Sequence, residues 1–191
     1  MTILKNIILF AFLTITINIF SQRVDTTSIS SRNWFVNIDL GVQMSGIKSE
    51  DFVSSNYSPL YRITAGKWLN KSLGIQFGYQ GRYFNAIADN DKHFYDFYFL
   101  EGILDVKNFL TTNKIQSRKH ELLLHGGVGF FQNRYYRNSS IHYVLGLSNL
   151  FSISKKITLK FDVGAIIGWD IYQGDEDILP SISLGIVYPF K

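Results

Sequence analysis

From Ile157 onward every second residue is apolar: Ile157, Leu159, Phe161, Val163, Ala165, Ile167, Trp169 and Ile171, with Thr158, Lys160, Asp162, Gly164, Ile166, Gly168 and Asp170 between them. A helix repeats its face every 3.6 residues and would mix these two sets, whereas a pleated strand separates them with period two. The same rule sorts the stretch from Trp34, where Trp34, Val36, Ile38, Leu40, Val42 and Met44 alternate with Phe35, Asn37, Asp39, Gly41, Gln43 and Ser45. Six further segments alternate less strictly, at about 59–69, 72–84, 94–108, 120–132, 141–153 and 180–190. The pattern therefore predicts eight strands.

The connections differ in character at the two ends. Asn70-Lys71, 109–119 and Ser154-Lys155-Lys156 fall on one side, and 46–58, 85–93, 133–140 and 172–179 on the other. The second group carries the turn formers, including Asp89-Asn90-Asp91, Asn138-Ser139-Ser140 and Gly174-Asp175-Glu176-Asp177. An even number of strands, tight turns at one end and longer loops at the other, predicts an all-β fold: an eight-stranded antiparallel up-and-down transmembrane β-barrel.

Which face meets water decides between a membrane barrel and a soluble one. The polar sets contain Asp39, Arg62, Arg82, Glu101, Glu121, Lys160 and Asp162, with Asp105 alongside, and these could not sit as a group against lipid. They are expected to line the interior as a network of ion pairs. A soluble lipocalin-like barrel would invert the arrangement and hold an apolar ligand. Residues 1–21 read as a signal peptide: Lys5, an apolar run from Ile7 to Phe20 interrupted by Thr14, Thr16 and Asn18, then the small Ser21. Residues 22–32 form a short extension and 33–191 the barrel domain. Past the leader no apolar run is long enough for a helical span, so a membrane could be crossed only by strands.

Composition agrees. Of 191 residues, 46% are hydrophobic, 16% aromatic and only 18% charged, where an ordinary soluble domain carries about 25% charge. Aromatic residues gather toward both strand ends, with Trp34, Trp68, Phe109, Phe151, Tyr188 and Phe190 at the short turns and Tyr83, Tyr95, Phe130, Tyr143, Trp169 and Tyr172 at the loops. Two such girdles mark the interfaces of a membrane barrel. Ten of the fifteen glycines take the inward phase, making room for long polar side chains in a lumen only just wide enough for its own residues. A continuous pore is not expected. The absence of cysteine removes disulfides, thiol nucleophiles and Cys-ligated metals, and a formal charge of +4 gives no reason to expect nucleic acid as a partner.

The last strand, SISLGIVYPFK, resembles the signal read by the barrel-insertion machinery of Gram-negative bacteria, with Tyr188 and Phe190 as its aromatics. The chain from residue 22 onward resembles the small porin-like outer-membrane β-barrels of the OmpA transmembrane-domain or OmpX type. The resemblance implies an outer-membrane location, contact with outer-membrane lipid and lipopolysaccharide, engagement of the insertion machinery during assembly, and a protein partner at the loops. Enzymes exist on such folds. Lipid A deacylases place His and Ser two residues apart on a strand, and this chain has no His-x-Ser. His142 and Ser148 lie six residues, about 20 Å, apart on one strand. A palmitoyltransferase-like site would need His93, Asp91 and Ser139 or Ser140 brought together by the loops. His120 and His125 point to opposite faces, and the acidic run at 174–177 reads as a solvated loop, so neither metal nor cofactor is expected. Arg134 and Arg137, beside Tyr135 and Tyr136, are candidates for phosphate contact at the loops. The expected function is that of a noncatalytic barrel with a structural, adhesive or assembly role through its loops. A lipid A-modifying enzyme and a soluble lipocalin-like barrel are the alternatives.

Overall fold

A computed structural model of the chain describes residues 34–45, 56–85, 91–110, 120–154, 156–169, 171 and 176–190. The expected leader and extension lie outside the described residues. Eight strands, β1 (Trp34–Met44), β2 (Tyr57–Trp68), β3 (Leu73–Asn85), β4 (Lys92–Asp105), β5 (His120–Asn133), β6 (Asn138–Ser152), β7 (Thr158–Trp169) and β8 (Glu176–Phe190), are joined in sequence order. Every neighbouring pair is antiparallel, and β8 closes onto β1. All the alternating segments become strands because closure gives each backbone N–H and C=O a partner on a neighbouring strand.

Register fixes the shape. Starting from Tyr188 on β8, register partners run through Val36, Ala65, Phe77, Leu100, Val128, Tyr143 and Ile167 to Ile178, ten residues from the starting point on the same strand. Eight strands with that stagger tilt by roughly 40° and enclose a lumen that side chains can fill. The eleven residues of β1 then rise about 25 Å, the height of an apolar membrane band.

The outer wall is apolar. Ile38 is 57% exposed, Leu40 66% and Leu184 66%, and Ile63, Phe77, Leu100, Leu145, Leu147, Val163 and Ile186 join them. A contiguous apolar belt around the whole barrel has no place in water. The inverted, lipocalin-like arrangement is thereby excluded.

The lumen is layered. At the short-turn end Phe35, Trp68, Ile103, Leu123, Leu150 and Val187 form one apolar cluster. At the loop end Phe84, Tyr95, Phe97, Phe99, Phe131, Val144, Ile166, Ile171 and Leu179 form another. Charged and amide side chains occupy the middle, so the interior is not polar throughout as the sequence pattern suggested. A cavity of about 20 Å³ lies between the lower cluster and Asn37, Gln76, His125, Ser148 and Lys160, room for about one water.

Several sequence expectations shift. Trp68 and Tyr95 belong to the buried phase of their strands, at 4% and 1% exposure, and leave the girdles for the lumen. Trp34, Phe109, Tyr188 and Phe190 remain exposed at one end and Phe130, Tyr143 and Trp169 at the other. The connection after β4 begins as a five-residue helix, α1 (Val106–Leu110), started by Asp105, whose Oδ1 accepts the Asn108 amide at 3.0 Å. Asp105 is therefore a cap and, among the described residues, takes no part in the ion pairs. The β5–β6 connection shortens to Arg134–Arg137 because pairing continues to Asn133 and Asn138. The last strand begins at Glu176, so part of the expected acidic loop is strand.

Val163 is 44% exposed on the outer wall and pairs with the outward Leu147 and Ile182. Val163→Arg is expected to destabilise the barrel in bilayers by about 2–4 kcal/mol, measured by denaturant titration. Val163→Cys, unique in this cysteine-free chain, should carry a fluorophore that lipid-borne spin labels quench. Absence of quenching would contradict the outward assignment.

Candidate functional site

The middle layer is a single connected network, and Asp162 on β7 is its hub. Its Oδ1 accepts Arg62 Nη1 at 3.0 Å. Its Oδ2 accepts His125 Nε2 at 2.9 Å and Ser148 Oγ at 2.5 Å, with Lys160 Nζ at 3.4 Å. Lys160 also reaches Asp39 Oδ2 at 3.2 Å, to which Asn37 donates as well. Arg62 turns the rest of its guanidinium onto Gln80 Oε1, at 2.9 Å from Nε and 2.6 Å from Nη2. His125 Nδ1 lies 2.8 Å from Glu101 Oε1, and Gln76 donates to Glu101 Oε2.

Both ring nitrogens of His125 face carboxylate oxygens, which only accept, so the arrangement calls for the doubly protonated ring. Arg62, Lys160 and His125 then balance Asp39, Glu101 and Asp162, as a charge cluster in a low-dielectric interior requires. Gly146 makes this possible: a Cβ there would lie 2.7 Å from His125 Cε1 and Nε2, where the ring passes.

Of the residues expected in the interior, Asp39, Arg62, Glu101, Lys160 and Asp162 are buried and meet in this layer. Glu121 is also buried, at 1% exposure, but lies toward the short-turn end beside Leu150 and away from the hub. Arg82 is a correction. Its register partners Leu60 and Tyr95 are buried, yet Arg82 itself is exposed, with a backbone φ of 125°. A non-glycine residue held there costs on the order of 1–3 kcal/mol, and the backbone turn carries the side chain out of the lumen. His125, Gln76, Gln80 and Ser148 were missed as network members, although each holds the inward phase of its strand.

Ser148 and His125 both bond to the same Asp162 oxygen rather than to each other, and both are buried, at 2% and 3%. His93 is fully buried and stacks on Tyr135 with ring centroids 3.9 Å apart. His142 is buried against Phe131 at 4.9 Å. No cluster of metal-ligating side chains is found among the described residues.

A second polar group sits on the outer wall at the loop-side end. Asp96 occupies the outward phase of β4 between the exposed Phe94 and Tyr98, yet is only 5% exposed. Tyr79 Oη donates to its Oδ1 at 2.7 Å and Arg134 Nε to its Oδ2 at 2.5 Å, while Tyr61 and Tyr79 share a hydroxyl contact at 3.2 Å. Gly81 permits the reach, since a Cβ there would come within 2.5 Å of the Tyr79 hydroxyl. The Arg134 amide bonds the Phe94 carbonyl at 2.9 Å, fixing the turn. Asp96 raises the affinity of the Arg134 guanidinium for its proton above the ordinary value. Arg137, the other expected loop cation, ends the turn with φ 55° and makes no such pair among the described residues.

No protein-family model and no curated sequence matches the chain. Solved structures match its shape. Neisserial surface protein A is similar with a TM-score of 0.54 at 13% identity, covering 82% of this chain and 97% of that one. The N-terminal β-barrel domain of OprF from Pseudomonas aeruginosa gives 0.50 at 9% identity, covering 81% and 97%. The attachment invasion locus protein Ail of Yersinia pestis gives 0.45 at 12%, covering 83% and 99%. Closure, apolar belt and filled lumen define a small transmembrane β-barrel. Its fold is that of the eight-stranded outer-membrane barrels of the OmpA and OmpX type.

Removing the hub should leave Arg62 and Lys160 without their shared counterion. Asp162→Ala is expected to cost about 3–5 kcal/mol. Arg62→Gln combined with Asp162→Asn should cost less than the sum of the two single changes, by more than about 0.5 kcal/mol, in equilibrium unfolding from micelles. Strict additivity would show that the two do not act as a pair.

Proposed function

We propose that this chain is a noncatalytic integral protein of a Gram-negative outer membrane, exported by its leader, whose activity resides in its loop-side surface. The observation that carries this reading is the shut lumen: two apolar clusters with a charge-balanced layer between them leave no continuous passage. A barrel whose lumen is filled acts through its outer wall and its loops. A structural, adhesive or assembly role fits, with lipopolysaccharide and outer-membrane lipid as its surroundings and a protein partner at the loops.

Tyr188 and Phe190 support the assembly part of the proposal. Both face outward, at 44% and 39% exposure, and pair with Val36 and Trp34 across the closing seam. An insertion machine that holds this strand holds the edge that must close last. A lipid A-modifying enzyme is the second reading, and lipid A mass spectrometry on a deletion strain separates it.

The mature protein is expected to fractionate with outer membranes and to migrate faster unheated than boiled in mild detergent gels. Planar-bilayer recordings should give no stable large conductance. Porin-like steps of reproducible size would overturn the shut-lumen reading, and recovery in the soluble periplasm without detergent would overturn the location.

A further inference from the structure

We propose that the outer wall formed by β3, β4 and the β5–β6 turn binds the phosphate-bearing headgroup of an outer-leaflet glycolipid, through Arg134 and Arg82. The inference rests on the reading that the loops of this barrel face the outer leaflet. It adds a defined site, with its residues, to the general contact with lipid.

Arg134 is built for the task. Only its Nε is used, on Asp96, and its side chain is 61% exposed, so the Nη edge has no partner among the described residues. Guanidinium donors in a fixed plane match phosphate oxygens. Fixing that plane takes an acid on an outward position, and Asp96 is that acid. Both its oxygens are occupied, one by Tyr79 and one by Arg134, so it orients the cation without competing for it.

Arg82 supplies an independent observation. It follows Gly81, the register partner of Asp96, and its strained backbone brings an arginine out of the lumen at this level of the barrel. Nothing inside requires the strain, because Gln43, Gln80 and Tyr95 satisfy one another there. Among the described residues its guanidinium has no ion pair. Lys92 adds a third cation over the Tyr83 ring, 5.1 Å from its centroid.

The choice of a lipid over a free anion comes from what lies beside the cations. Phe94, Tyr98, Leu100 and Phe130 are 45–56% exposed along the same wall. A ligand that reaches the arginines from the membrane carries acyl chains along these side chains, and an amphiphile with an anionic head satisfies both surfaces at once.

The test uses the mature barrel, refolded in detergent and examined by native mass spectrometry with two probes, bisphosphorylated lipid A and the same lipid A enzymatically dephosphorylated. Wild-type protein should retain the phosphorylated probe with about tenfold preference. Arg134→Gln and Arg82→Gln should each reduce that preference severalfold, while Arg137→Gln leaves it unchanged. The heat-shifted gel band reports that each variant is folded, and the wild-type preference needs no variant at all. Equal retention of the two probes would overturn the proposal, as would loss on Arg137→Gln alone, which would place the contact at the turn's tip. Inorganic phosphate should not displace the glycolipid; complete displacement would show a general anion site and overturn the choice of a lipid. Flotation of the native chain with outer membranes tests the location separately, so a failure there is distinct from a failure of the site.

Discussion

Hydrocarbon offers no partner to a peptide N–H or C=O, and that constraint organises everything else in this molecule. Strands satisfy it only by closing on themselves, and eight strands close around a lumen one or two side chains wide. The narrow lumen then dictates its contents. Rings such as His125 fit only where a glycine such as Gly146 opposes them. The apolar belt follows from the same closure, since each strand must turn one face toward lipid.

Inside, the charges are arranged by depth. The ion pairs lie at mid-barrel, where an isolated charge would be costliest, and the apolar clusters above and below keep water from competing for them. The pairing is long-range: Arg62 meets Asp162 across one hundred residues of sequence, and Lys160 meets Asp39 across 121. The network therefore ties β1 through β7 together from within, while the ladders tie only neighbours.

Most of this fold was legible in the sequence, because a period of two is a property of each strand alone. The outward set of β7 and the buried Asp39, Arg62, Glu101, Lys160 and Asp162 all follow from counting residues. The pairing did not follow, because it depends on the ten-residue stagger, which no single strand records. Parity also fails where the backbone breaks its own rule, as at Arg82. Trp68 and Tyr95 were misassigned for the opposite reason: aromatic character was given more weight than phase, and phase prevailed. Asp96 escaped notice because an acid in the outward phase makes sense only once Tyr79 and Arg134 are seen to hold it.

The seam between β1 and β8 has a consequence of a different kind. Trp34 and Phe190 are direct partners, so residues at opposite ends of the barrel's sequence are neighbours in space, joined by an antiparallel ladder like those of the other seven seams. In the finished barrel nothing distinguishes this seam from the rest. The linear order of the strands is thus dispensable to the final geometry, and a circularly permuted chain, with residues 34 and 190 bridged and a new opening in a loop, would meet the same set of contacts. What the natural order decides is which edge waits longest, and so which strand remains available to be held while the ring completes itself.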